Sequence, residues 1–179
     1  DGSSFEERES LAERGNLFFI TLIGIYILLA IPLKSYLQPI IIMSVIPFGI
    51  IGAVVGHMFL GVTINAFSII GFFALAGVVV NDSLIMVDYV NRKVVDGMAP
   101  SAASVEAGAE RFRAILLTSL TTFFGLIPIL TDQSSQAQMV IPTAVSLAFG
   151  IAFATVITLV FVPCLYNILG DFVGYKPSQ

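Results

Sequence analysis

The chain has 179 residues, 57% of them hydrophobic and only 11% charged, with a formal net charge of −4. Soluble domains carry roughly a quarter of their residues charged, so this composition excludes an ordinary water-soluble domain and points to a bilayer. A single cysteine and a single histidine exclude a disulfide framework and a metal site built on either residue type.

The chain opens DGSSFEERESLAERG, with no initiator Met and no basic region before the first apolar run. It is therefore expected to be a segment of a longer protein rather than to begin with a signal peptide. Residues 1–15 read as a charged, solvated lead-in helix. Residues 16–34 form the first predicted transmembrane helix, apolar from Leu17 to Leu33 apart from Thr21. Pro32 and Pro39 bracket a short turn. The second span, 39–60, is expected to kink at Pro47, which membrane helices tolerate. Within it, the Gly52/Gly56 spacing permits close helix contact. His57, near the end of the span, reads as an interfacial polar residue rather than a pH sensor.

The third span, 65–92, is the stretch around which the sequence is arranged. Asn65 is suited to cap it. Ala66 to Val80 carries no charge, Asn81, Asp82 and Ser83 interrupt, and Leu84 to Val87 resume the apolar run. At 1.5 Å per residue the helix can cross a hydrocarbon core of about 30 Å. An ionisable group inside it is costly to keep, which makes Asp82 the first functional candidate. Asp88 and Arg92 are spaced for an ordinary surface ion pair.

Residues 93–112 are predicted as a cytoplasmic connection containing a short amphipathic helix, with Pro100 in its first turn. The fourth span is 113–131. A polar loop follows, and then a fifth span, 139–169, rich in Ala, Ser and Gly, as expected for a helix packed tightly inside a bundle. Pro163 is expected to end or bend it. Residues 170–179 form a polar cytoplasmic tail. Lys34, Arg92, Lys93, Arg111, Arg113 and Lys176 fall on one side of this five-span arrangement, and only Arg8 and Arg14 on the other. The positive-inside rule then puts the N-terminus outside and the C-terminus in the cytoplasm. The predicted fold class is an all-α membrane protein, a bundle of five transmembrane helices.

Ala74, Gly77, Asn81 and Asp88 share one stripe of the third span, with Asp82 one step round. Thr118, Thr122 and Gly125 form a similar stripe on the fourth. Either the two stripes meet and bring hydroxyls to the carboxyl, or the threonines bond the carbonyls one turn back. Arg111 is an interfacial anchor or a guard of a cytoplasmic proton exit. No phosphate-binding loop, nucleophile elbow or dinucleotide fingerprint is present, so neither an enzyme nor a cofactor is expected. The basic residues do not cluster with aromatics, so no nucleic-acid partner is expected either.

The run Gly77-Val-Val-Val-Asn81-Asp82-Ser-Leu-Ile-Met-Val-Asp88-Tyr, then Gly97, Arg111-Phe-Arg113-Ala-Ile-Leu-Leu-Thr118-Ser-Leu-Thr, Gly125-Leu-Ile-Pro128 and Phe161-Val-Pro163 closely resembles the resistance–nodulation–division (RND) transporters. More narrowly, it resembles the C-terminal membrane half of their hydrophobe and multidrug efflux branch. The resemblance implies helices eight to twelve of a twelve-helix, proton-driven antiporter in the bacterial inner membrane. It also implies a homotrimer whose N-terminal half and porter domain lie elsewhere in the protein, joined by a periplasmic adaptor and an outer-membrane channel. The family's proton relay maps to Asn81, Asp82, Thr118 and Arg111. Thr118 and Arg111 match the common pattern. Asn81 stands where a Lys is common, Asp82 where an Asn is, and Ala114 where a Pro is. Two other functions remain open: a protein-export accessory or lipid exporter of the same superfamily, and a non-transporting helical module. The polar Asn81–Asp82–Ser83 group deep in a span argues against the last.

Overall fold

A computed structural model describes residues 2–173. It contains helices α1 (Gly2–Leu33), α2 (Gln38–Met43), α3 (Ile46–Leu60), α4 (Ala66–Val95), α5 (Pro100–Thr131) and α6 (Ser135–Val173), with no strand among the described residues. Among the described residues, five segments are long and apolar enough to cross a membrane, α2 and α3 together making one of them.

The boundaries differ from the sequence-based ones for local reasons. The lead-in helix and the first span are one helix, because Gly15 and Asn16 only weaken helical backbone and no proline interrupts it before Pro32. The second span is broken rather than kinked. Ser44 and Val45 separate α2 from α3, Pro39 and Pro47 each stand in a first turn, and Pro47 has no N–H to continue the ladder. The connection after α4 shrinks to residues 96–99, where Gly97 turns the chain with φ 98°. The amphipathic piece and the fourth span form a single α5. The fifth span starts at Ser135, before the expected residue 139, and Pro163 does not end it. From residue 174 onward the expected tail, including Lys176, lies outside the described residues.

The hub is α6, not α4. It packs most extensively against α3, α4 and α5, whereas α1 touches only α2 and α4 to any extent. Close approach depends on missing side chains. A Cβ on Gly71 would lie 2.6 Å from Ser146 Cβ and 2.8 Å from the Thr143 carbonyl. Phe149 and Phe153 occupy the space that side chains at Gly56 and Gly52 would fill, and Leu75 sits over Gly150. Lipid tails are as apolar as leucine, so such packing has to hold the helices together. α1 buries Leu29 and Leu33 and leaves Phe19, Ile23, Leu28 and Ile31 exposed, as a lipid-facing helix does.

Gly71→Val overpacks a contact that includes backbone, and is expected to lower stability by about 1–3 kcal/mol. Gly108→Ala, whose Cβ would meet nothing within 4 Å, is expected to leave stability unchanged or raise it. Thermal unfolding in detergent compares them. Equal losses would contradict the packing account.

Candidate functional site

The candidate site is built on the middle of α4. Asp82 is buried at 8% exposure, Ser83 is fully buried, and Asn81 is exposed. Both ends of the helix are pinned by polar side chains. At the first end, Asn65 Oδ1 accepts from the Phe67 and Ser68 N–H groups, and Ser68 Oγ accepts from the Asn65 N–H at 3.1 Å, a complete capping box.

His57 joins this cap. It is 2% exposed, which corrects the interfacial placement expected from its position near a helix end. Its Nδ1 lies 2.9 Å from the Ala53 carbonyl and its Nε2 2.8 Å from Ser68 Oγ. A carbonyl can only accept, so Nδ1 carries a proton, while the Ser68 hydroxyl can serve either role toward Nε2. Ser146 Oγ and Thr143 Oγ1 of α6 donate to the Ser68 and Phe67 carbonyls.

At the other end, Asn91 and Gln38 exchange two side-chain hydrogen bonds of 2.8 Å, and the Tyr166 hydroxyl donates to Asn91 Oδ1 at 2.6 Å. Gln38 is fully buried there. This network ties α2, α4 and α6. Sequence reading missed it because its three members are far apart in the chain and share no motif.

Between these ends, Asp82 takes part in neither ion pair found among the described residues. Those are Asp88–Arg92 and Lys93–Glu106, both 2.7 Å. The Thr118 hydroxyl donates to the Ala114 carbonyl at 2.9 Å, and Thr122 to that of Thr118. Thr118 is exposed, as are Ala74, Gly77 and Asn81, so within this chain the two stripes do not meet. α5 turns Ile115 and Ser119 inward instead, and Ser119 Oγ lies 2.5 Å from Thr155 Oγ1 of α6. Thr155 donates to the Ile151 carbonyl, so Ser119 is the donor in that pair. Thr118 and Ser119 are neighbours in sequence, and only packing decides which of them faces α6.

Arg111 stands apart from Asp82. Its guanidinium lies 5.0 Å from the centroid of the Tyr89 ring, and its Nε is buried without a hydrogen-bond partner. The Tyr89 hydroxyl donates to Glu106, which also pairs with Lys93. This cluster fixes the α4–α5 corner. Among the described residues no group of three or more His, Cys, Asp or Glu side chains is placed to hold a metal ion.

The family model described as the AcrB/AcrD/AcrF family matches residues 1–170. The chain belongs to this family. AcrB/AcrD/AcrF membership places it in the RND superfamily. Among curated relatives, the swarming motility protein SwrC of Bacillus subtilis (strain 168) is 32% identical over 178 residues, covering 99% of this chain and 17% of SwrC. Two solved crystal forms of a heavy metal efflux pump match with TM-scores of 0.83 and 0.80 at 28% and 29% identity. Each covers 93% of this chain, which spans 17% and 16% of those two chains. The chain thus spans about a sixth of the length of these AcrB-family relatives. The five-span bundle is similar to the membrane region of an RND transporter.

A buried carboxyl without a compensating partner opposes folding. Asp82→Leu is expected to stabilise this chain by about 1–4 kcal/mol. A lower unfolding temperature for the leucine variant would show that the carboxyl has a structural partner.

Proposed function

We propose that this chain is the membrane segment of a proton-driven efflux antiporter exporting hydrophobic or amphiphilic compounds. Asp82 is the observation that carries this reading: an ionisable side chain held in the middle of a membrane helix and joined to no ion pair among the described residues. Intramembrane carboxyls of this kind mark ion pathways. Asn81 and Thr118 lie on exposed faces of α4 and α5, free to meet the remainder of the protein, and Arg111 stands at the Arg92 end of the bundle. In this reading the N-terminal half covers those faces and supplies the other proton carriers. Rearrangement of the two halves then alternates the surroundings of Asp82, so that proton uptake and release accompany substrate export. The whole protein is read as a homotrimer in the bacterial inner membrane, carrying a porter domain and working with a periplasmic adaptor and an outer-membrane channel.

The solved neighbours favour a second reading of the cargo, heavy metal ions. Cargo selection would then lie outside this segment.

In the intact protein, Asp82→Asn keeps the shape and removes titration. Expression is expected to be normal, with proton-coupled efflux impaired or its pH dependence displaced. Efflux at the parental rate from pH 6 to 8 would reduce Asp82 to a structural polar residue. Orientation is tested separately by single cysteines in a Cys164→Ser background. A cysteine at exposed Gln133 is expected to react with an impermeant maleimide from outside, and one at exposed Ser101 only after permeabilisation. Ser101 suits this purpose where the neighbouring Ser104 does not, since Ser104 is buried and donates to Asn167. The reverse labelling pattern would invert the topology.

A further inference from the structure

The α4–α6 interface is a stack of layers in a single register. Gly71 faces Ser146, Leu75 covers Gly150, and Asn91 accepts from Tyr166 75 positions away, a spacing all three pairs share. The helices therefore run parallel and in step, which sets Val79 level with Ala154, Ser83 with Thr158, and Val87 with Val162. All six of these intermediate residues are buried. Five layers account for themselves: glycine contacts or apolar pairs in four, and the Asn91–Tyr166 hydrogen bond in the last. The Ser83–Thr158 layer does not. It sets two hydroxyls at mid-span, 0% and 1% exposed, and Ser83 Oγ has no hydrogen-bond partner. The neighbouring Ser119–Thr155 pair shows the contrast, since there the hydroxyls satisfy each other. Buried polar groups left over in this way are the usual holders of internal water.

We propose that the Ser83–Thr158 layer binds one water molecule, and that this water is the partner through which the adjacent Asp82 carboxyl exchanges its proton. The second half of this proposal rests on Asp82 being the coupling acid. The route then runs on the α6 side of α4, away from the exposed face that carries Asn81. Besides Asp82, the titratable side chains of α3, α4, α5 and α6 among the described residues are His57, Asp88, Tyr89, Arg92, Lys93, Glu106, Glu110, Arg111, Arg113, Cys164, Tyr166 and Asp171. His57 is engaged at the Asn65 end, Asp88 with Arg92, Tyr89 with Glu106, and Tyr166 with Asn91, so none of these four is taken up by the Ser83 layer.

The test uses the intact protein and has two arms. A structure at a resolution that shows solvent is expected to place a water within about 3.2 Å of both Ser83 Oγ and Thr158 Oγ1. A direct Ser83–Thr158 bond, or closed apolar packing there, overturns the site. The second arm follows by infrared titration the carboxyl band that Asp82→Asn removes. Ser83→Ala and Thr158→Val are expected to move its midpoint by about one pH unit, the effect of losing one hydrogen bond, and Ser83→Thr to restore it. Unmoved midpoints overturn the exchange role. Should efflux prove independent of a pH gradient while the water and the midpoint shifts are present, the antiport reading fails and the water site stands.

Discussion

The structure depends on how closely backbones can approach the face of α6. In lipid no hydrophobic gain accompanies helix association, so contact area and polar pairing have to supply it. α6 offers Gly150, Ala144, Ala148 and Ala154 to its neighbours, and α3 and α4 answer with Gly49, Gly52, Gly56 and Gly71. Large side chains fill the spaces so left: Leu75 over Gly150, Phe149 beside Gly56. Every buried polar network described above, except the Arg111–Tyr89 corner, either includes α6 or abuts it.

Polar satisfaction is distributed unevenly along α4. Its two ends are fastened, one by His57, Ser68 and Asn65, the other by Gln38, Asn91 and Tyr166. These are groups whose donors and acceptors match, the form in which buried polarity stabilises. The middle is different. Asp82 and Ser83 are buried together, outside both networks. Rigid ends around an unsatisfied centre hold a carboxyl at a fixed depth while leaving it free to change partners. That division of labour suits the proton exchange proposed for Asp82.

Much of the fold was legible in the sequence. Apolar runs of membrane-spanning length, punctuated by Pro39, Gly61, Gly97 and the polar run Thr131–Gln138, determine five spans and their order, because backbone in lipid has to satisfy itself within each helix. The capping role of Asn65 and the Asp88–Arg92 pair follow from spacing alone. Asp82 stands out because an acid in an apolar run is rare whatever surrounds it. The RND resemblance was readable for the same reason, since its motifs are short and contiguous.

Tertiary structure decided whatever depended on rotation about a helix axis or on distant partners. The small-residue density of α6 indicated tight packing but not that α6 would be the hub. Periodicity made Thr118 prominent, yet packing turned Ser119 inward and left Thr118 bonding its own helix. His57 lies near a helix end in the chain but inside the bundle in space, because Ser68 and the Ala53 carbonyl meet both ring nitrogens there. The level pairing of Ser83 with Thr158 follows from a register that neither helix encodes alone. Local sequence sets which residues form a helix and how long it runs; which face meets which neighbour is settled only when the backbones close on one another.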